Sequence, residues 1–172
     1  MKKRTSSEEH FKVYIPARLE SARLPGKVLL TWKGKTLLQH VYEKAIGSGA
    51  KEVVIATDSQ EIVEVATEFG ATVQVTRKGI ESGTDRVASA ASARGEGPNA
   101  VIVNVQGDEP LMPAMVISQV ARVIVSARRD CDIATACEPL EMRQLTDPNV
   151  VKVIRDVSQR ALYFSRAPIP WP

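Results

Sequence analysis

Apolar residues in this chain follow two alternating rhythms: short unbroken runs, and longer stretches in which they recur every three or four positions. The short runs predict buried strands and the periodic stretches predict amphipathic helices. Phe11 to Ile15, closed by Pro16, is the first expected strand. Thr36-Leu-Leu-Gln39 has the form of a capping box, opening a helix with Leu37, Leu38, Val41 and Ala45 on one face, stopped by Gly47 and Gly49. Val53 to Ala56 reads as a second strand. Asp58-Ser-Gln-Glu61 can then cap a helix carrying Ile62, Val65, Ala66 and Phe69 and ending at Gly70. Ala71 to Val75 is a third strand, followed by a polar loop from Thr76 to Ser82. Gly83-Thr-Asp-Arg86 leads into an Ala-rich helix to about Ala93. Gly95-Glu-Gly-Pro98 turns the chain into the run Val101 to Val105. Pro113, at a helix N1 position, opens a further helix along Val116, Val120, Val123 and Ile124.

Strands alternating with helices argue for βαβ units, an α/β fold and a mostly parallel sheet. Beyond Asp130 the rhythm changes. Cys131 to Ala136, Val150 to Arg155 and Arg160 to Ser165 read as strands without long helices between them, so a small mixed or antiparallel extension is expected. Residues 1–10 are polar and charged and read as a disordered tail, leaving 11–172 as a single domain. The last residues, Ala167-Pro-Ile-Pro-Trp-Pro172, follow directly on a strand-like run, and the expectation is a domain incomplete at its C-terminus.

Composition narrows the class. The chain has 172 residues, enough to bury a sizeable core, with 44% apolar and 25% charged residues, as in ordinary soluble globular proteins. A net charge of +3 is too small to argue for nucleic acid, and no basic stripe is interleaved with aromatics, although a modest cationic excess suits an anionic small substrate. No apolar run approaches the length of a membrane span, and the N-terminus lacks the apolar core of a signal peptide. Cys131 and Cys137 lack metal-ligand spacing, which points to packing in a reducing compartment and hence to a cytoplasmic protein.

The candidate chemistry gathers at Val101-Ile-Val-Asn-Val-Gln-Gly-Asp-Glu-Pro110. A buried strand here runs into a turn at Gln106 and Gly107, and two acids follow. In a parallel α/β sheet, ligands bind in the crevice outside the carboxyl ends of the strands. A carboxylate there, Asp108, is positioned to hold Mg²⁺ against substrate phosphates. A solvated acidic turn is the plain alternative. The loop after the first strand carries Arg18, Arg23 and Lys27 with Pro25-Gly26, a set suited to neutralising a polyphosphate. Ser82-Gly-Thr-Asp-Arg86 is either a simple helix start or a segment whose amides and Arg86 face a ligand.

Two nucleotide motifs fail. Gly34-Lys35-Thr36 resembles the end of a Walker A loop, but Leu29 stands where the leading glycine is needed. Gly47-Ser-Gly49 begins like a dinucleotide fingerprint, yet Glu52 takes the place of the last glycine and the segment follows a helix. His40, in the first helix, has no partner for catalysis in the sequence and reads as structural.

Taken in order, Ile15-Pro-Ala-Arg18, Ser21-Ala-Arg-Leu-Pro-Gly-Lys27, Ala56-Thr-Asp58, Ser82-Gly-Thr-Asp-Arg86, Val103-Asn-Val-Gln-Gly-Asp-Glu-Pro110 and Tyr163-Phe-Ser-Arg166 resemble one family closely. It is the 3-deoxy-manno-octulosonate (Kdo) cytidylyltransferases, or CMP-Kdo synthetases. The resemblance implies a Rossmann-like nucleotidyltransferase that makes CMP-Kdo and pyrophosphate from CTP and Kdo for lipopolysaccharide, with Mg²⁺ as cofactor and a homodimer in the full-length form. Carried onto this chain, it implies that Arg18, Arg23 and Lys27 belong to the triphosphate loop, with Arg18, Lys27 and Asp108 catalytic. Asp108 would ligate Mg²⁺, and Gln106 and Arg166 would meet the sugar. The segment around Thr76, Arg77 and Ser82 would approach the cytosine, chiefly through backbone groups. Family members continue past Pro172 into a region with further sugar contacts, another metal-binding aspartate and much of the dimer interface.

The reaction so implied is displacement at the α-phosphorus of CTP by a sugar hydroxyl. Positioning and charge neutralisation would carry it, with no covalent enzyme intermediate. The rivals are another acid-sugar cytidylyltransferase, of the sialic-acid type, and a non-catalytic nucleotide-binding fragment.

Overall fold

The computed structural model describes residues 10–20, 24–127 and 131–170. Residues 1–9 of the expected tail at 1–10, Arg23 and Trp171 lie outside the described residues. The chain divides into two compact units, Met1–Ala134 and Thr135–Pro172.

In the first unit the elements run β1 (Phe11–Pro16), β2 (Thr31–Trp32), β3 (Lys35–Thr36), α1 (Leu37–Ile46), β4 (Glu52–Thr57), α2 (Gln60–Glu68), β5 (Thr72–Val75), α3 (Gly83–Ala93), β6 (Val101–Asn104) and α4 (Ala114–Ala127). Four strands form a sheet in the order β5-β4-β1-β6, every neighbouring pair parallel. The α/β reading and its mostly parallel sheet therefore hold. Side-chain parity along the strands sorts the core into two layers. Val13 and Ile15 of β1, Val53 and Ile55 of β4, and Val101 and Val103 of β6 pack with α1, α2 and α4. Tyr14, Val54 and Ala56 point the other way, onto Val87, Ala90 and Ala91 of α3. Each fully buried aliphatic side chain, such as Ile55, contributes roughly 1.5–3 kcal/mol.

Local signals explain where the helices begin. Thr36 caps α1, its hydroxyl accepting from the Gln39 backbone at 3.1 Å. The reciprocal half of a capping box is absent there, and the Gln39 amide nitrogen donates to Glu43. Ser59 caps α2, while Asp58, read as part of that cap, turns to Arg86. The α4 face needs a correction. Ile117 and Ala121 are the buried positions, and Val123 is exposed, against the expected Val116–Val120–Val123–Ile124 stripe. The polar residues Gln119, Arg122 and Ser126 lie opposite Ile117 and Ala121, so the helix is amphipathic, and a stripe drawn through the valines is rotated away from its inward face.

Between β1 and α1 the chain makes a hairpin that the apolar pattern did not predict. Lys33 and Gly34 both have positive φ, 51° and 78°, as a two-residue primed turn requires. Gly34-Lys35-Thr36 thus belongs to a hairpin and a helix cap. His40 accordingly bonds the Trp32 carbonyl at 2.8 Å and packs on its ring.

The second unit contains an antiparallel hairpin, β7 (Lys152–Arg155) and β8 (Ala161–Ser165). Lys152 is buried, its ammonium donating to the carbonyls of Asp147, Val150 and Arg166. The expected strand at Cys131–Ala136 does not form. No strand among the described residues pairs with it, and Ile133 is 84% exposed, so its β-prone composition has no ladder to join. Among the described residues no helix is long and apolar enough to cross a membrane.

Candidate active site

The strand order reverses between β1 and β6: β1, β4 and β5 step outward one way, and β6 returns to the other side of β1. A crevice opens at that switch point, outside the carboxyl ends of the two strands. On the β1 side the chain leaves the sheet through Pro16-Ala17-Arg18. On the β6 side, the Val105 backbone still donates to the Tyr14 carbonyl, and then a turn closed by Glu109 N–H on the Gln106 carbonyl swings Asp108 outward.

Gly107 makes this closeness feasible. A β-carbon there would lie 2.9 Å from the Pro16 carbonyl oxygen, so only glycine lets the two strand ends touch. Gly83 works similarly from above: a β-carbon would meet the Gln106 amide oxygen at 3.1 Å and the Pro16 ring at 3.2 Å. The resulting cleft, of about 140 Å³, is walled mainly by Pro16, Arg18, Lys27, Gly83, Gln106 and Asp108.

Lys27 opens a short 3-10 turn, Lys27–Leu29, behind Gly26, whose φ of 70° suits glycine. Its ammonium donates to Asp108 Oδ2 at 3.1 Å, and both side chains are well exposed, 38% and 48%. Arg18 donates to the Glu81 carbonyl at 2.8 Å. Gln106 is held by an amide relay, donating to Asn104, which in turn donates to the Thr84 hydroxyl.

Arg86 is the brace beneath the site. Only 3% exposed, it donates to Thr76 Oγ1 at 2.7 Å, to Asp58 Oδ2 at 3.0 Å and to the Ile80 carbonyl at 3.1 Å. Asp58 follows β4 and Thr76 follows β5, so one guanidinium ties together the loops at two strand ends.

The sequence-predicted site residues thus separate into groups. Arg18, Lys27, Gln106 and Asp108 meet around one cleft. Ser82 caps α3, accepting from the Asp85 backbone at 3.0 Å, beside Gly83 in the cleft wall. Thr76 is buried with its hydroxyl on Arg86, and the neighbouring Arg77 is exposed; neither lines the cleft. Arg166 belongs to the second unit, where it donates to the Pro148 carbonyl at 2.7 Å. Arg23 lies outside the described residues.

Sequence reading missed the wall carboxylates Glu20 and Glu81 and the relay through Asn104 and Thr84. Nothing local marks them, since they meet the cleft only through the fold. With Asp108, the carboxylates Glu20 and Glu81 offset Arg18, Lys27 and Arg86, so the described charges on the wall balance, three against three. A second groove, about 370 Å³, opens on the other side of Arg18, between Asp58, Lys78 and Ile80. Burial first, then the Asp108 charge, pushes the Glu109 carboxyl above its ordinary value, with Lys27 opposing.

Among the described residues no group of three or more His, Cys, Asp or Glu side chains could hold a metal ion alone. The site nevertheless fits Mg²⁺ in one particular way. That ion is commonly held by one or two carboxylates plus substrate phosphates, and Asp108 presents an accessible carboxylate at the strand end, in a cleft of balanced charge.

A sequence model described as cytidylyltransferase matches residues 13–172. A 3-deoxy-manno-octulosonate cytidylyltransferase of Thioalkalivibrio sulfidiphilus is 53% identical over 162 residues, covering 94% of this chain and 64% of its own length. The protein of that name from Cellvibrio japonicus is 50% identical over 163 residues, again covering 94% and 64%. Among solved structures, a CMP:2-keto-3-deoxy-manno-octonic acid synthetase complexed with CTP matches with a TM-score of 0.81 at 34% identity, over 95% of this chain and 66% of that one. The chain spans a little under two thirds of the length of the curated relatives it matches.

Proposed function

This chain belongs to the cytidylyltransferase family, and on that footing we propose that it is the nucleotide-handling part of an enzyme that joins CMP from CTP to Kdo. The observation that carries the proposal is the meeting of Lys27 and Asp108 at the switch point between β1 and β6. The relatives named for that reaction support the choice of CTP and Kdo.

In the reaction, the anomeric hydroxyl oxygen of Kdo bonds to the α-phosphorus of CTP. The bond from that phosphorus to the bridging oxygen breaks, pyrophosphate leaves and the hydroxyl proton is released. The chain's own groups would act by position and charge. Arg18 and Lys27 would face the triphosphate, and Gln106, oriented by Asn104, would face the sugar. A Mg²⁺ held on Asp108 would supply the positive charge that the wall lacks for a polyanionic nucleotide. Arg23 would add to the triphosphate loop. Thr76, Arg77 and Ser82 would approach the base through backbone groups, and Arg166 would meet the sugar carboxylate. The longer protein would work as a homodimer in the cytoplasm.

The test is pyrophosphate release with CTP, Mg²⁺ and Kdo, on this chain and on one extended to the relatives' length. Kdo-dependent release by the extended chain, absent with UTP or sialic acid, is expected. Release with sialic acid and not Kdo would move the reading to the other acid-sugar class. Nucleotide binding without release would leave a binding protein.

A further inference from the structure

The Lys27–Asp108 pair sets two demands against each other. Asp108 is to hold a cation, yet its Oδ2 already takes the Lys27 ammonium at 3.1 Å. Lys27 also has a second anion to serve, the nucleotide phosphates. A positive divalent ion and an ammonium cannot share one carboxylate oxygen without mutual repulsion.

The backbone around Lys27 is well anchored. Gly26 N–H bonds the Leu19 carbonyl at 2.8 Å, Leu29 N–H returns to the Gly26 carbonyl at 2.9 Å, and Val28 is buried. The side chain is not: it is 38% exposed, and its four-carbon stem can swing while its Cα stays in place. The ion pair is of the exposed kind, which is worth little. It is strong enough to compete with a free cation for the Asp108 carboxylate and weak enough to yield when phosphate offers a better partner. Arg18 differs, since its guanidinium is on the neutral Glu81 carbonyl and masks no acid.

We infer that Lys27 is a specificity-determining guard on Asp108: it excludes free divalent cation and admits the metal together with nucleotide. The inference rests on the proposed function, because it takes Asp108 as the metal ligand and a nucleotide triphosphate as the second partner. When the triphosphate enters, Lys27 leaves Oδ2 for a phosphate oxygen, and the carboxylate opens to the cation that the phosphates bring. By linkage, nucleotide and metal then strengthen each other's binding by the same factor.

Free Mn²⁺, followed by its paramagnetic resonance signal, is titrated into this chain, Lys27→Gln, Asp108→Asn and the double variant. All positions are exposed, and matched circular dichroism checks the fold. Lys27→Gln should bind Mn²⁺ about fivefold more tightly than the parent chain, the scale of one exposed ion pair removed. The double variant should lose that gain. Mn²⁺ binding by Lys27→Gln that is unchanged or weaker overturns the guard, as does a gain that survives in the double variant. A second titration, Mn²⁺ with CTP, separates the two levels of the claim. If Asp108→Asn leaves that binding unchanged, Asp108 is not the ligand and the proposed metal role fails. If Asp108→Asn loses it while Lys27→Gln shows no gain with Mn²⁺ alone, only the guard fails.

Discussion

Gly107 and Pro16 stand in contact across the switch point, close enough that a β-carbon on Gly107 would sit 2.9 Å from the Pro16 carbonyl oxygen. That oxygen is backbone, so it cannot move aside without shifting β1. Gly107→Ala should therefore cost about 1–3 kcal/mol, as overpacking does, and widen the cleft between Arg18 and Asp108. Gly97→Ala, where the added carbon meets nothing within 4 Å, is the control and should be nearly neutral. Urea unfolding reads the stability and CTP titration reads the cleft. Equal behaviour of the two variants would remove the close approach as a constraint.

Arg86 and Asp58 form a 3.0 Å ion pair in which the arginine side chain is 3% and the aspartate 20% exposed. Removing Arg86 leaves Asp58 without its cation and takes the donor from the buried Thr76 hydroxyl and Ile80 carbonyl. Arg86→Met should destabilise the chain by about 3–5 kcal/mol. The pair Arg86→Met with Asp58→Asn should cost less than the sum of the single changes, because the stranded charge is gone. A loss under about 1 kcal/mol for Arg86→Met, against that range, would mean the brace is dispensable.

At the amino ends of the strands, far from the cleft in register, Glu96 accepts from Lys12 and from the Tyr14 hydroxyl, each at 2.7 Å. Burial pushes the Tyr14 phenol above its ordinary value of 10.0, and the Glu96 hydrogen bond pushes it further. The folded form thus favours the protonated phenol. Its contribution is whole below pH 10 and is lost as pH rises beyond that. Glu96 behaves oppositely: burial raises its carboxyl, but the Lys12 and Tyr14 hydrogen bonds outweigh that and hold it below 4.5. Its contribution is whole above pH 4.5 and is lost as pH falls further. Stability should therefore be flat between these limits as far as this cluster is concerned. Tyr14→Phe should cost about 1–3 kcal/mol at neutral pH and shrink the alkaline fall. Denaturant midpoints against pH test it, and an unchanged alkaline limb would exclude Tyr14 as its source.

Asp108→Asn preserves shape and removes the charge on which the proposed metal role depends. In a chain of the relatives' length, the rate of pyrophosphate release should fall by about a thousandfold, the scale of several kcal/mol of lost transition-state stabilisation. The fold should stay intact, because the Lys27 pair that is broken is exposed. Near-parental rates would refute the assignment.

The alternating rhythm was enough to predict the α/β class and the order of the principal strands and helices of the first unit. Buried strands such as Val53–Ala56 are continuous apolar runs, and capped helices such as α1 begin at Thr36, a residue that can satisfy free backbone N–H groups. Asp108 was legible as a candidate for a related reason, since an acid following a buried strand must emerge at a sheet edge. The strand at Cys131–Ala136 was misread, because strand propensity says nothing of whether a partner is present. The α4 face was misread because the valines alone trace a stripe rotated from the true inward face, which lies opposite Gln119, Arg122 and Ser126.

What the chain's own pattern determined, then, is which segments are strands or helices and that an acid and several cations leave the sheet. Tertiary structure alone decided that β6 lies beside β1, that Gly107 must lack a side chain, and that Lys27 rests on Asp108 across 81 positions of sequence. It alone also turned Arg86 inward to brace Asp58 and Thr76. The physical reason is range. Periodicity and capping act over a few neighbouring residues, whereas strand order and charge pairing are settled by contacts between segments that the sequence keeps far apart.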